Sequence, residues 1–142
     1  MKPQAYTRLL QRVQLQSLLL DALEAEVRRE VFDPAVQPKV QVDLSDRVVF
    51  PDEEHFEVLS TLTFVARIRR RVWVRVRLRF RARYTLPSRQ APEAFFQIFR
   101  ETSARLHVWP YFREALSNTL VRMGLPPFPL PLYIPQETGE QT

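Results

Sequence analysis

Residues 56–85, FEVLSTLTFVARIRRRVWVRVRLRFRARYT, decide the fold of this chain. Apolar and polar residues alternate from Phe56 to Ile68, and they alternate more strictly from Val72 to Tyr84. A period of two indicates a β-strand with one buried and one exposed face. The triplet Arg69–Arg71 separates the two runs. The segment therefore predicts an antiparallel hairpin, although its turn lacks the usual Gly or Asn.

Two upstream segments add to the sheet. Lys39–Leu44 alternates in the same way, and the prolines before it predict an extended loop over residues 25–38. Leu9–Leu23 is ambiguous, because its odd-numbered apolar positions suit a strand whereas Leu, Gln and Glu favour a helix. Propensity alone predicts a helix there.

After Pro92 the period of the apolar residues changes from two to 3.6, which predicts a helix. Pro110 should kink or restart this helix, and Gly124 should end it. Strands followed by helix indicate an α+β fold in which an antiparallel sheet is covered on one face. Residues 1–135 are predicted to be one domain, with 136–142 a flexible polar tail.

Composition excludes several kinds of chemistry. The 142 residues contain no cysteine, two histidines and two glycines, Gly124 and Gly139. Disulfides, Cys-ligated metals, thiol catalysis and glycine-rich phosphate loops are therefore excluded. No carboxylate pair or histidine stands in a motif that supports catalysis, so we predict a protein that is not an enzyme, with no metal and no cofactor. The polar start and the absence of about 20 consecutive apolar residues predict a cytoplasmic protein that does not enter membranes.

Positive charge is concentrated in one segment. Residues 58–92 carry ten arginines and no acidic residue, whereas residues 1–57 have a net charge of −4 and residues 93–142 of −1. The alternating strand puts a row of arginines on one sheet face: Arg71, Arg75, Arg77, Arg79, Arg81 and Arg83. This row predicts either a surface for an anionic partner such as nucleic acid or an acidic protein, or a solvated face that prevents aberrant sheet pairing.

Residues 125–135, LPPFPLPLYIP, contain five prolines among eleven residues and cannot form a helix or a central strand. The segment is unusually apolar for a loop. It is interpreted either as one wall of a hydrophobic binding groove or as a loop that covers its own core. An exposed apolar patch of this size favours binding.

The stretch LHVWPYFREALSNTLVRMGLPPFPLPLYI, from Leu106 to Ile134, resembles the signature of the SecB-type export chaperones. Phe112 replaces the alanine of the family's Pro-Tyr-Ala-Arg-Glu motif. Residues 37–44, QPKVQVDL, are similar to the family's Gln-Pro-Glu-Val-Lys-Leu-Asp-Leu segment, and Leu10-Gln-Arg-Val is similar to the start of its first strand. The signature positions that match are Pro110, Tyr111, Arg113, Glu114, Gly124, Pro126 and Leu130.

The resemblance implies a four-stranded antiparallel sheet with a long helix, assembled as a dimer of dimers or as a dimer. It implies that Leu9–Leu23 is a strand. It also implies a holding chaperone that binds unfolded clients in hydrophobic grooves, either for export or for a dedicated client such as an antitoxin. The resemblance implies that clients bind to apolar residues in the two loops of this chain: Val31, Phe32, Val36, Leu125, Phe128, Leu130, Leu132 and Tyr133.

Two departures from the family qualify this expectation. Family members continue into a second helix and an acidic tail, which this chain does not show before Thr142. Their outer sheet face is acidic and binds the SecA motor, whereas Arg77 lies where the family tends to carry glutamate. This difference argues against docking of the motor. A nucleic-acid-binding module that uses the arginine row is the alternative function.

Overall fold

The structure, a computed structural model, describes residues 1–86 and 90–131. The elements in chain order are α1 (Pro3–Leu10), β1 (Gln14–Val27), a short 3-10 turn (Arg29–Val31), β2 (Lys39–Val49), β3 (His55–Ile68), β4 (Arg71–Thr85), α2 (Glu93–Glu101) and α3 (Ser103–Arg122). The strands form one antiparallel sheet in the order β1-β4-β3-β2, and two helices follow the last strand. The predicted α+β fold is therefore confirmed.

The hairpin of β3 and β4 closes through a two-residue turn. Ile68 pairs with Arg71, and the turn residues Arg69 and Arg70 have φ angles of 56° and 97°. Positive φ at both positions is the geometry of a type I′ turn, which matches the twist of the flanking strands. The hairpin prediction is confirmed, with two arginines at positions where Gly and Asn are usual.

Three β-bulges decide which face each side chain joins. In β1, Gln16 and Asp21 are extra residues in the pairing with β4, and in β4 Trp73 is an extra residue opposite the step from Ala66 to Arg67. Each bulge inserts one residue and moves the side chains beyond it to the other face. The odd-numbered apolar pattern that the sequence shows for β1 therefore holds only in part. Leu15 and Leu23 lie beside the core residues Tyr84 and Leu78, whereas Leu19 lies beside Arg81 and even-numbered Leu20 lies beside the core residue Phe80.

The bulge at Asp21 places a carboxylate on the arginine-lined face. Its Oδ2 lies 2.9 Å from Arg81 Nη2 and 3.3 Å from Arg79 Nη2. The hydrogen bond from Arg81 holds the pKa of Asp21 below its ordinary value, and the charge of Arg79 adds to this effect. Asp21 thus joins the edge strand β1 to Arg79 and Arg81 of the neighbouring strand β4.

The helices cover the other face of the sheet. Helix α3 packs its buried side, including Val108, Phe112 and Leu116, against the middle of β3 and β4. Helix α2 contributes Phe95, Phe96 and Phe99 to an aromatic cluster, in which Phe56 and Phe99 lie 5.2 Å apart between ring centroids.

A buried ion pair ties strand β2 to the helices. Asp46 Oδ2 lies 2.8 Å from Arg105 Nε, and the side chain of Asp46 is almost fully buried. Burial raises the pKa of Asp46, which the hydrogen bond from Arg105 only partly offsets. The pair holds β2 against the start of α3.

The helical segments differ from the sequence prediction in two places. Leu9 and Leu10 lie at the end of a helix, and the strand begins only at Gln14, so neither the helix prediction nor the strand prediction holds for all of Leu9–Leu23. Helix α3 also runs through Pro110 without interruption, and the break falls at Thr102 instead. The proline is tolerated because it lies on the exposed side of the helix. Leu106, whose carbonyl receives no hydrogen bond from the proline, is 67% exposed.

Arg70→Gly is expected to stabilise the protein by roughly 0.5–1 kcal/mol, because glycine adopts positive φ without the steric cost that a Cβ carries. Chemical denaturation measures the change. Arg75→Gly, which places glycine inside β4, is the control and should destabilise. A loss of stability in Arg70→Gly would contradict the assigned turn geometry.

Asp21→Asn is expected to lower the free energy of unfolding by about 0.5 kcal/mol near neutral pH. The folded-state pKa of Asp21 is depressed, so its contribution is present above the unfolded value of 3.8 and is lost as the pH falls through the folded value. The difference between the variant and the wild type should therefore shrink in acid. Denaturation over a pH series tests this, with Asp43→Asn, which has no arginine partner among the described residues, as the control. A pH-independent difference would contradict the ion pair.

Candidate functional site

An apolar groove opens at one end of the sheet, beyond the cover that α3 provides. It has a volume of about 390 Å³ and lies between the loop before β2, the ends of β2, β3 and β4, and the loop after α3. Its lining is almost entirely apolar and includes Phe32, Val40, Phe64, Trp73, Leu125 and Phe128. Such a surface binds apolar groups without demanding a particular sequence.

The bulge in β4 places Trp73 in this groove. Trp73 contacts Phe32 with 4.9 Å between the ring centroids, and both rings also line an adjoining hollow of about 340 Å³ beside Gly124 and Leu125. Without the extra residue, the alternation of β4 would put Trp73 among the outward-facing arginines. The bulge is therefore the local feature that builds this wall.

The loop after α3 is fixed where it leaves the helix. Gly124, with φ +79°, follows the end of the helix, and the N–H of Leu125 donates to the carbonyl of Leu120 at 2.9 Å. This is a Schellman ending, which glycine permits and which turns the chain sharply back. Arg29 from the facing loop donates to the carbonyl of Met123 at 2.8 Å. The two walls of the groove are thus joined at one end.

Further along, side chains of α3 hold the loop against the helix. Trp109 Nε1 donates to the carbonyl of Pro131 at 2.8 Å, and Arg113 Nε donates to the carbonyl of Leu130 at 3.3 Å. Phe128 packs on Phe64 with 5.2 Å between ring centroids. The loop therefore presents a defined apolar surface.

The opposite wall is anchored through Asp33. Its Oδ1 accepts a hydrogen bond from the N–H of Ala35 at 2.9 Å, and its Oδ2 accepts one from Arg69 Nη1 at 2.8 Å. These two contacts lower the pKa of Asp33, with the backbone donor contributing most. The loop is thereby fastened to the hairpin turn.

The client-binding residues predicted from the sequence fall into three groups. Phe32 is 47% exposed and lines the groove together with the half-buried Leu125 and Phe128. Val31 and Leu130 are buried in the protein's own core at 6% and 5% exposure, so they offer no free surface, and half-buried Val36 does not line the groove. Leu132 and Tyr133 lie outside the described residues.

Sequence reasoning missed Trp73, Val40 and Phe64 as lining residues. One signal existed for Trp73, because it is the only residue other than arginine at the odd-numbered positions from 71 to 83. Val40 and Phe64 were assigned to the apolar strand face. The alternation of apolar and polar residues does not reveal that α3 leaves the groove end of the apolar sheet face uncovered.

The arginine row divides into a paired part and an unpaired part. Arg81 contacts Glu57 at 2.6 Å as well as Asp21, Arg79 contacts Asp21, and Arg83 contacts Glu57 and Asp52. Arg71, Arg75 and Arg77 are exposed and form no ion pair with any residue in the described parts of the chain. Positive charge that can attract a partner is therefore concentrated in the first half of β4, next to the groove.

Among residues 1–86 and 90–131, no three His, Asp or Glu side chains are placed to hold a metal ion. No helix in the same ranges is long and apolar enough to cross a membrane.

Comparison with known proteins identifies the family. The model of the SecB family, preprotein translocase subunit SecB, matches residues 9–132, and no curated protein matches. Among solved structures, the Mycobacterium tuberculosis Rv1957 SecB-like chaperone, in complex with a ChAD peptide from the Rv1956 HigA1 antitoxin, aligns with a TM-score of 0.77 and 21% identity over 92% of this chain and 97% of that chain. A Streptococcus agalactiae protein of unknown function aligns with a TM-score of 0.46 and 12% identity over 84% of this chain and 97% of that chain. This chain belongs to the SecB family and has the fold of a SecB-like chaperone.

Proposed function

We propose that this protein is a holding chaperone that binds extended apolar segments of unfolded clients in the groove beside Trp73. The observation that carries the proposal is the open apolar groove of about 390 Å³, in which Phe32, Leu125 and Phe128 remain accessible. The proposed activity is binding alone, without a chemical step. We place it in the cytoplasm, where newly made chains are transiently unfolded.

Burial of apolar surface supplies the binding energy in this proposal. A large apolar side chain contributes about 1.5–3 kcal/mol when it is fully removed from water. Ordering an unfolded client has an opposing entropic cost, so a few such contacts give reversible rather than permanent capture. Reversible capture without strict sequence requirements suits a protein that holds a client and later releases it.

We propose that the chaperone serves a dedicated client, such as an antitoxin, rather than delivering clients to an export motor. The SecB-like chaperone from Mycobacterium tuberculosis has an antitoxin peptide bound. In this chain Arg75 and Arg77 on the outer sheet face, and Arg71 before the bulge at the start of β4, form no ion pair with the described residues. A basic motor surface would be repelled by them. We therefore do not expect this protein to hand clients to an export motor.

We also propose that the protein acts as a dimer or as a dimer of dimers. Strand β1 is an edge of the sheet and carries Leu19, Leu20 and Leu23, all about half exposed or more. On α3, Leu106 and Tyr111 are exposed as well. Unpaired strand edges and apolar side chains of this kind are normally covered by a partner.

The arginine row gives less support to a nucleic-acid-binding function than its sequence suggests. Arg79, Arg81 and Arg83 are engaged by carboxylates of the protein itself. The nearby aromatic ring of Trp73 lies against Phe32, which leaves less of it free to stack on a base.

Phe32→Asp combined with Phe128→Asp is expected to abolish the suppression of aggregation of a denatured client, because charged side chains in the groove disfavour apolar ligands. Light scattering of a refolding client protein measures the effect. Phe50→Asp is the matched control, since Phe50 is 50% exposed and lies at the other end of β2. The control should protect the client as the wild type does.

The wild type, the double variant and the Phe50→Asp control should have the same oligomeric molar mass and the same far-UV circular dichroism. A loss of protection then reports on the groove rather than on folding or assembly. Full protection by the folded double variant would contradict the assignment of the groove.

A further inference from the structure

A second hollow, which is charged, adjoins the groove. It has a volume of about 310 Å³ and lies on the outer sheet face, where β1 ends and β4 begins. Trp73 lines both this hollow and the apolar groove, so the two surfaces meet at one indole ring. An extended chain advances about 3.3 Å per residue, so a client that leaves the groove past Trp73 reaches the hollow within about two or three residues.

Positive charge exceeds negative charge in this hollow. Arg71 and Arg75 line it, are exposed, and have no ion-pair partner among the described residues. Of the described residues in the lining, Glu26 is the one carboxylate, and it contacts Arg28 with 2.9 Å between Oε1 and Nε. Glu26 also stands opposite Arg75 in the strand register, but the contact it makes is with Arg28. Two guanidinium groups therefore remain free to bind carboxylates from outside.

The rest of the row does not extend this site. Arg77 forms no ion pair with residues that the structure describes, but Glu24 stands opposite it in the register of β1 and β4. Beyond Arg77, Asp21 and Glu57 neutralise the next two arginines. Along β4 the free part of the row is thus short, about 13 Å from Arg71 to Arg75, which corresponds to a few residues of extended peptide. Such a patch fits a small cluster of carboxylates better than a continuous run of phosphates.

From this arrangement we infer that the chaperone selects clients in which a short acidic cluster adjoins the apolar segment held in the groove. This inference rests on the proposed function of the groove. Carboxylates of the client pair with Arg71 and Arg75 while its apolar residues cover Trp73 and Phe32. Guanidinium groups suit this role because they bind carboxylates through two parallel hydrogen bonds and remain charged at every physiological pH. The charge also speeds encounter with acidic segments.

Three fluorescein-labelled peptides test the inference. They share one apolar ten-residue core and differ only in a three-residue flank, which is acidic, neutral or basic. Fluorescence anisotropy is expected to show that the acidic peptide binds about five to ten times more tightly than the neutral one at low ionic strength, with the basic peptide weakest. Added salt should reduce the difference.

Arg71→Glu with Arg75→Glu should remove the preference for the acidic flank and leave the affinity for the neutral peptide unchanged. The matched control, Arg8→Glu with Arg12→Glu, makes the same change in net charge at α1 and at the turn that follows it. This region precedes the β1 end paired with the last residue of β4. The control should keep the preference.

Equal affinities of the three peptides for the wild type, with binding lost in the Phe32→Asp and Phe128→Asp variant, would overturn the inference and leave the groove assignment intact. Peptide binding that the groove variant does not weaken would instead overturn the proposed function. A single-stranded DNA oligonucleotide that binds through Arg71 and Arg75, while the peptides show no preference, would overturn the inference in favour of nucleic acid.

Discussion

The groove exists because one helix is too small to cover the apolar face of this sheet. Helix α3 has 20 residues and is about 30 Å long and 10 Å wide, whereas β4, with 15 residues, runs about 50 Å and the four strands span roughly 15–19 Å. Helix α2 covers one remaining part with its phenylalanines. The other end is bordered by two loops that meet only partly over it. Exposed apolar surface at that end follows from the dimensions of the elements.

The positions of the two loops depend on a few polar contacts. Asp33 fastens one loop to the hairpin turn through Arg69, and Arg29 joins that loop to the end of α3 at Met123. Trp109 and Arg113 hold the second loop through its backbone carbonyls. Among the described residues, none of these five side chains lines the groove, so the apolar rings of the lining are left available to a ligand.

The hairpin and the α+β architecture follow from the alternation between Phe56 and Tyr84, and both could be predicted. The bulges at Asp21 and Trp73 could not, because one extra residue leaves the local composition unchanged while it moves side chains to the other face. The start of β1 at Gln14 was missed because tertiary packing overrides local propensity. The uninterrupted helix at Pro110 was missed because the sequence pattern does not show that the proline lies on the exposed side of the helix. The sequence predicts a client-binding groove at the two loops, and an apolar groove lies between them, but the place of Trp73 in its lining required the register.

Tryptophan fluorescence tests the central claim most directly, since the chain has two tryptophans, Trp73 in the groove and Trp109 in the core. In Trp109→Phe, addition of an unfolded client that lacks tryptophan should shift the emission of Trp73 to shorter wavelength as its ring is removed from water. In Trp73→Phe, the emission of Trp109 should not change. Unchanged Trp73 emission while the client is still held in solution would contradict the claim that this groove receives the client.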